Sequence, residues 1–94
     1  MTVIHEETAS RFSHTEDGHV AELVYRLHGG RLVLVHTGVP AALEGKGVGG
    51  ELVSAALDYA AADGLTVVPL CPFARRWLEQ HPDEAGRVPV AWPA

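Results

Sequence analysis

A single cysteine and a single lysine stand in the whole chain. One cysteine excludes an internal disulfide, which fits a reducing compartment and a cytoplasmic location. Basic residues are scarce, seven Lys and Arg against twelve Asp and Glu, giving a net charge of −5. The basic footprint of a nucleic-acid binder is therefore missing. An acidic surface suits a cationic partner such as an amine as readily as it suits plain solubility. No apolar run approaches the roughly 20 residues that a membrane span requires. Met1–Glu7 also lacks the basic and then apolar regions of a secretory signal. Neither nucleic acid nor a membrane is expected as a partner. His5, His14, His19 and His28 show no paired ligand spacing, so no metal site is expected. Glycine, by contrast, is plentiful, and four of the ten glycines crowd into the segment 45–50.

The hydrophobic fraction of 47% over 94 residues indicates one globular domain rather than a disordered chain. The first eight residues are mixed and polar and read as a loose lead-in. Ala9–His14 is a short strand pattern, and Asp17-Gly18 after it is a two-residue hairpin turn. In the stretch from His19 to Leu27, Ala21, Leu23, Tyr25 and Leu27 share one face while Glu22 and Arg26 share the other, the pattern of a half-buried strand. Gly29-Gly30 is a second hairpin turn. Arg31–Val39 is apolar on both faces for most of its length, which marks a central strand, and Pro40 ends it. A helix is predicted from about Gly47 to Asp63, with Val48, Leu52, Ala55, Ala56 and Tyr59 recurring at spacings of three and four. Gly64 takes the place of the residue after a helix end. Leu65–Leu70 reads as a buried strand, set parallel to the central one by a crossover. Ala74 to about Gln80 is a second helix, stopping near His81-Pro82. Arg87–Trp92 reads either as a short edge strand or as coil. The fold class is thus mixed α/β: an antiparallel three-stranded meander, a helix, a parallel strand and a helix.

The glycine segment, Glu44-Gly45-Lys46-Gly47-Val48-Gly49-Gly50, joins the central strand to the first long helix. Glycines there permit tight turning and close ligand approach. The helix N-terminus adds unpaired N–H groups that suit phosphate. Gly45-Lys46-Gly47-Val48-Gly49-Gly50 formally matches G-x-G-x-x-G. A dinucleotide fold, however, needs repeated parallel strand–helix units, and this chain begins with hairpins. The triphosphatase pattern G-x-x-x-x-G-K-[ST] is absent. The competing structural reading is a glycine-rich turn that merely caps a helix.

The order of elements around this segment resembles the acetyl-CoA-binding core of the GNAT superfamily of N-acetyltransferases, whose signature is Arg/Gln-x-x-Gly-x-Gly/Ala. Gly47 and Gly49 fall on its two small positions. His36-Thr37-x-Val39-Pro40, Gly45-Lys46-Gly47-Val48-Gly49, Val68-Pro69-Leu70-Cys71-Pro72-Phe73 and His81-Pro82 together look like a small, single-domain branch of that superfamily. These motifs span about Val33 to Asp83. Two departures stand out. The first signature position holds Glu44, whose carboxylate is expected to point to solvent while its backbone serves. Gly38 stands where the branch usually carries a glutamate.

The resemblance implies that acetyl-CoA or CoA is the co-substrate. Thr37, Gly38 and Val39 would supply strand backbone for the pantetheine arm. Gly45, Lys46, Gly47, Val48, Gly49 and Gly50 would cradle the pyrophosphate on an anion nest, with Lys46 adding an ionic contact or else standing as a solvated loop lysine. Arg76, and with it Arg75, opens the second helix and would reach the nucleotide phosphate, or else at least one of them lies on a solvated helix face. Acetyl transfer needs a deprotonated amine, hydrogen bonds to the thioester carbonyl and a proton for the departing thiolate. Cys71, at the end of the second parallel strand, is the candidate nucleophile or general acid, or else a small buried hydrophobe. His36, on the strand face of Leu32 and Leu34, is a candidate general base or orienting group, or else a hydrogen-bonded core histidine. The helix tyrosine used by many relatives is replaced by Trp77, read as packing or pocket wall, and His81 is read as a helix cap or acceptor-side residue. The function expected is an acetyl-CoA-dependent N-acetyltransferase acting on an amine. The alternative is a GNAT fold that holds acyl-CoA without turnover. The acceptor and the choice of monomer or homodimer are not written in the sequence.

Overall fold

The computed structural model describes residues 1–94. Five strands form one sheet in sequence order: β1 (Ile4–Glu6), β2 (Arg11–Glu16), β3 (His19–His28), β4 (Arg31–Gly38) and β5 (Thr66–Pro69). The first four pair antiparallel, and β5 pairs parallel to β4. Helix α1 (Val48–Asp63) connects β4 to β5, and α2 (Pro72–Gln80) and the short α3 (Pro82–Ala85) follow. No helix is long and apolar enough to cross a membrane. Both hairpin turns have positive φ at both central residues, Asp17-Gly18 and Gly29-Gly30, as a two-residue turn between right-twisted strands requires.

The meander has four strands, where the sequence pattern indicated three. Ile4–Glu6, assigned to the loose lead-in, is an edge strand paired with β2. Three residues are too few for periodicity to register, and it is tertiary contact that orders them. The His5 ring stacks on Phe12 at 4.3 Å, its Nε2 lies 2.6 Å from the Tyr25 hydroxyl, and Glu6 accepts from Arg11 and Ser13 on the opposite face. The second strand also begins later than its pattern, at Arg11, because Ser10 takes a left-handed conformation after a 3-10 turn at Glu7–Ala9.

The large buried side chains of the sheet, among them Phe12, Leu23, Tyr25, Leu32, Leu34 and Val67, join Leu52, Val53, Ala56, Leu57 and Ala60 of α1 and Ala74 and Leu78 of α2 in one core. Burying such side chains contributes about 1.5–3 kcal/mol each for the larger ones. At the C-terminus of α1, Gly64 is left-handed and Leu65 N–H donates to Ala60 O at 2.9 Å, which satisfies a terminal carbonyl. The tail makes one parallel bridge, Val90 to Val67 on β5, so it is coil with a single edge contact.

One irregularity decides how the site is built. Tyr25 pairs with Leu34, but Val24 pairs with His36, so Val35 is an extra residue on β4. Such a β-bulge shifts the alternation of faces by one from that point on. Leu32 and Leu34 face the core, but His36 now shares the face of Val24, and Thr37 shares that of Leu23.

Candidate active site

A cleft of about 700 Å³ lies where the end of β4, the glycine segment, α1 and α2 meet. That volume is within the range of small-molecule sites. Thr37 and Val39 line it from the strand end, Gly45, Gly47, Val48, Gly49 and Gly50 from the loop and first turn of α1, and Phe73, Trp77 and His81 from α2 and its end.

The loop has the geometry of an anion nest. Gly45 and Gly47 are left-handed, both at φ 78°, with right-side φ at Lys46 between them. This alternation points successive N–H groups inward. None of the N–H groups from Gly45 to Gly50 donates one of the backbone hydrogen bonds found in turns, loops and caps, and Gly47 caps α1 without a side-chain partner. The N–H groups of the first turn are left free for a ligand, at the positive end of a 16-residue helix.

Gly49 and Gly50 have a second reason to be glycine. A Cβ on Gly49 would lie 2.5 Å from Phe73 Cζ, and one on Gly50 would lie 2.5 Å from Trp77 Nε1. The two residues let α2 lie close against the first turn of α1. His81 stacks on Trp77 at 4.1 Å, and its Nδ1–H donates to Trp77 O at 2.7 Å. His81 thus both closes the end of α2 and lines the cleft.

The charges fall differently from the sequence expectation. Lys46 is not in the lining. Its ammonium donates to Glu16 Oε2 at 2.5 Å, at the β2–β3 hairpin. Each partner favours the other's charged form, so the lysine pKa is raised and that of Glu16 lowered, chiefly by this hydrogen bond. Glu16 also accepts from His14 Nε2 at 3.0 Å, while His14 Nδ1–H donates to Thr2 O at 2.7 Å. With an acceptor at each ring nitrogen, the protonated form of His14 is favoured, and its pKa is raised by the Thr2 carbonyl first and Glu16 second. Arg76 is exposed on α2 outside the lining, and Arg75 lies 3.9 Å from Glu79. The lining carries Glu44, Glu51 and Glu84 and no lysine or arginine. Glu84 accepts from Arg87. Glu44 is exposed, as expected, and borders the cleft.

His36 and Cys71 are not brought together. The bulge turns His36 onto the other face of the sheet, where it is exposed and close to Gly38, itself outside the lining. The same bulge turns Thr37 inward, and its Oγ1 lies 3.2 Å from Cys71 Sγ. Cys71 is 4% exposed, caps α2, and its N–H donates to Leu34 O at 2.9 Å. The polar pair at the strand end is therefore Thr37 and Cys71. Phe73 of the lining closes the Val68–Phe73 motif but had no role assigned from the sequence, and Ser54, Glu51 and Glu84 had no sequence signal of their own; Ser54 and Glu51 are reachable only once the α1 face toward the cleft is known.

Residues 11–87 match the family of GCN5-related N-acetyl-transferases. The chain belongs to this family. Protein NATD1 of Gallus gallus and of Homo sapiens are each 35% identical over 63 residues, 66% of this chain. That match covers 57% of the chicken protein and 56% of the human one, so the chain spans little more than half the length of these curated relatives. The solution structure of a GCN5-like N-acetyltransferase candidate from Staphylococcus aureus superposes with a TM-score of 0.74 at 26% identity, covering 99% of this chain and 90% of that one. The GNAT-like fold is thereby shown, and acetyl transfer is the chemistry of the family's name.

The residues present fit the diphosphate of the family's acyl carrier through backbone donors. The free N–H row and the left-handed glycines suit an anion, whereas the side-chain charges of the lining add nothing to its binding.

Proposed function

We propose that this protein is an acetyl-CoA-dependent N-acetyltransferase that acts on an amine. The observation that carries the reading is the convergence, around one cleft, of the free N–H row of residues 45–50, the strand end Thr37–Val39 and the α2 wall. When bound, acetyl-CoA supplies a thioester-activated acetyl group. Residues Gly45–Gly50 hold the diphosphate, and the helix dipole adds to that attraction. The backbone of Thr37 and Val39 borders the path of the pantetheine arm. Thr37 and Cys71 form the proton-bearing couple at the strand end. The amine gives up a proton as the amide forms and the departing sulfur takes one up, so the couple serves by holding or passing that proton. The carboxylates at the rim suit a protonated amine on approach.

Thermal unfolding with CoA and with acetyl-CoA tests the reading. A ligand at 100 times its dissociation constant adds about 2.7 kcal/mol, roughly 10–20 °C for a domain of this size. CoA release with amine panels then reads turnover. No shift with either compound overturns the proposal. A second reading, a non-catalytic acyl-CoA-binding module, is favoured by one observation: neither His36 nor Cys71 lines the cleft. It requires tight CoA binding with no transfer to any amine.

A further inference from the structure

In a cleft with no lysine or arginine in its wall, one neutral side-chain donor lies against the first turn of α1, next to the glycine loop. Trp77 Nε1 is the atom of α2 that comes closest to Gly50 on the first turn of α1, 2.5 Å from where a Cβ would be. Gly50 is one of the residues whose N–H makes no turn or loop hydrogen bond. The indole N–H therefore sits beside the free donors of the nest.

The indole is fixed from two sides. The bare Gly50 Cα admits the ring edge that carries Nε1, with Cε2 and Cδ1 next nearest at 3.2 and 3.4 Å from the Cβ position. His81 stacks on the indole at an interplanar angle of 16°, and its own ring is locked by the bond from Nδ1 to Trp77 O. Nε1 makes none of the protein's side-chain hydrogen bonds, yet it is not among buried atoms left without a partner, so it remains open to solvent. A buried indole N–H without a partner would be costly; one that is open and immobilised beside backbone donors is ready for an anion.

We propose that the Trp77 indole N–H is a side-chain donor to the diphosphate held on the glycine loop, and that Gly50 is glycine to admit it. This rests on the reading that the cleft takes acyl-CoA. A neutral donor fits this cleft better than a cation would, because Glu44, Glu51 and Glu84 share the lining and would draw a lysine or arginine head to themselves.

The test is ¹H–¹⁵N NMR of the intact protein, titrated separately with inorganic pyrophosphate, CoA and pantetheine. The chain has two tryptophans, and the Trp92→Phe variant assigns the Trp77 indole peak. Pyrophosphate and CoA are expected to move that peak downfield together with the amides of residues 45–50, and pantetheine, which has no diphosphate, is expected to leave it in place. Trp77→Phe is expected to weaken CoA and pyrophosphate by about tenfold, the scale of a hydrogen bond to a charged group, and to leave pantetheine unchanged. If residues 45–50 respond to CoA while the indole peak stays still, this inference is overturned and the cleft assignment stands. If Trp77→Phe weakens pantetheine as much as CoA, Trp77 is only a wall, which also overturns it. If CoA moves neither the loop amides nor the melting temperature, the underlying reading fails first.

Discussion

Lys46 Nζ donates to Glu16 Oε2 at 2.5 Å, so the apex of the glycine loop is tied to the β2–β3 hairpin rather than aimed at the cleft. Both side chains are substantially exposed, and exposed ion pairs are worth little because solvent screens them. Lys46→Met is therefore expected to change CoA affinity by less than about threefold. Glu16→Gln, which frees the ammonium, is expected not to weaken CoA at all. Calorimetric titration of both variants checks this. A tenfold loss in Lys46→Met with a gain in Glu16→Gln would mean that the lysine leaves the hairpin for the ligand.

Behind that pair, His14 ties the hairpin to the N-terminal segment through Thr2 and Glu16. Its folded pKa is raised, by the Thr2 carbonyl first. Such a group binds its proton more tightly in the folded state. Its contribution is fully present below the unfolded histidine value of about 6.5 and is lost as pH rises through the higher folded value. Glu6 and Glu16 have lowered values, Glu6 chiefly through the Ser13 hydroxyl and then Arg11, Glu16 chiefly through Lys46. Their contributions are present above the unfolded glutamate value of about 4.3 and are lost as pH falls through the lower folded values. Urea midpoints measured across pH are expected to fall at both ends. His14→Gln should remove the part of the alkaline fall that begins near neutral pH and keep the acid one, while the fall from Lys46, whose pKa is also raised, stays at higher pH.

The sequence pattern disclosed the parts of the fold that rest on local chemistry. Asp17-Gly18 and Gly29-Gly30 specify hairpin turns by themselves, Gly64 marks a helix end, and the stripe from Val48 to Ala60 specifies a buried face. The part of the cleft wall at Gly45 and Gly47 was legible for the same reason, since only glycine serves left-handed positions so cheaply. What was hidden depends on partners. The edge strand Ile4–Glu6 exists because His5 finds Phe12 and Tyr25. The face of His36 was misread because the bulge at Val35 is a relation between β3 and β4, and strict alternation along one strand cannot reveal it. Lys46 was read toward the phosphate because its partner, Glu16, lies 30 residues away.

Gly49 is buried in the first turn of α1, and a Cβ there would come within 2.5, 2.8 and 3.3 Å of three Phe73 ring atoms. Alanine should favour the helix by about 1 kcal/mol over glycine. Overpacking of this kind costs about 1–3 kcal/mol. Gly49→Ala is thus expected to be destabilising by about 1 kcal/mol net, despite the better propensity. Pairing it with Phe73→Leu should recover stability, which two non-interacting sites would not do. Denaturant midpoints of the two singles and the double decide the matter; additive losses would show that the ring simply swings away.

Thr37 and Cys71 separate the two functional readings. Cys71 is only 4% exposed, so its native-state reaction with a thiol reagent should be slow, limited by opening of the α2 N-terminus rather than by thiol chemistry. Cys71→Ala is expected to keep CoA affinity within about threefold, because Cys71 is outside the cleft lining and a small buried side chain is exchanged for another. If the couple moves a proton during transfer, the same variant should lower turnover by about 10²-fold or more, the scale of general acid–base contributions. Thr37→Val, which keeps the β-branched shape and deletes the hydroxyl, should then lower turnover in the same direction with a smaller effect. Binding assays and CoA-release assays on the same preparations give both quantities. Turnover unaffected by either substitution would remove the couple from the chemistry. Undiminished binding with no turnover in the unsubstituted protein would favour a holder of acyl-CoA over an enzyme.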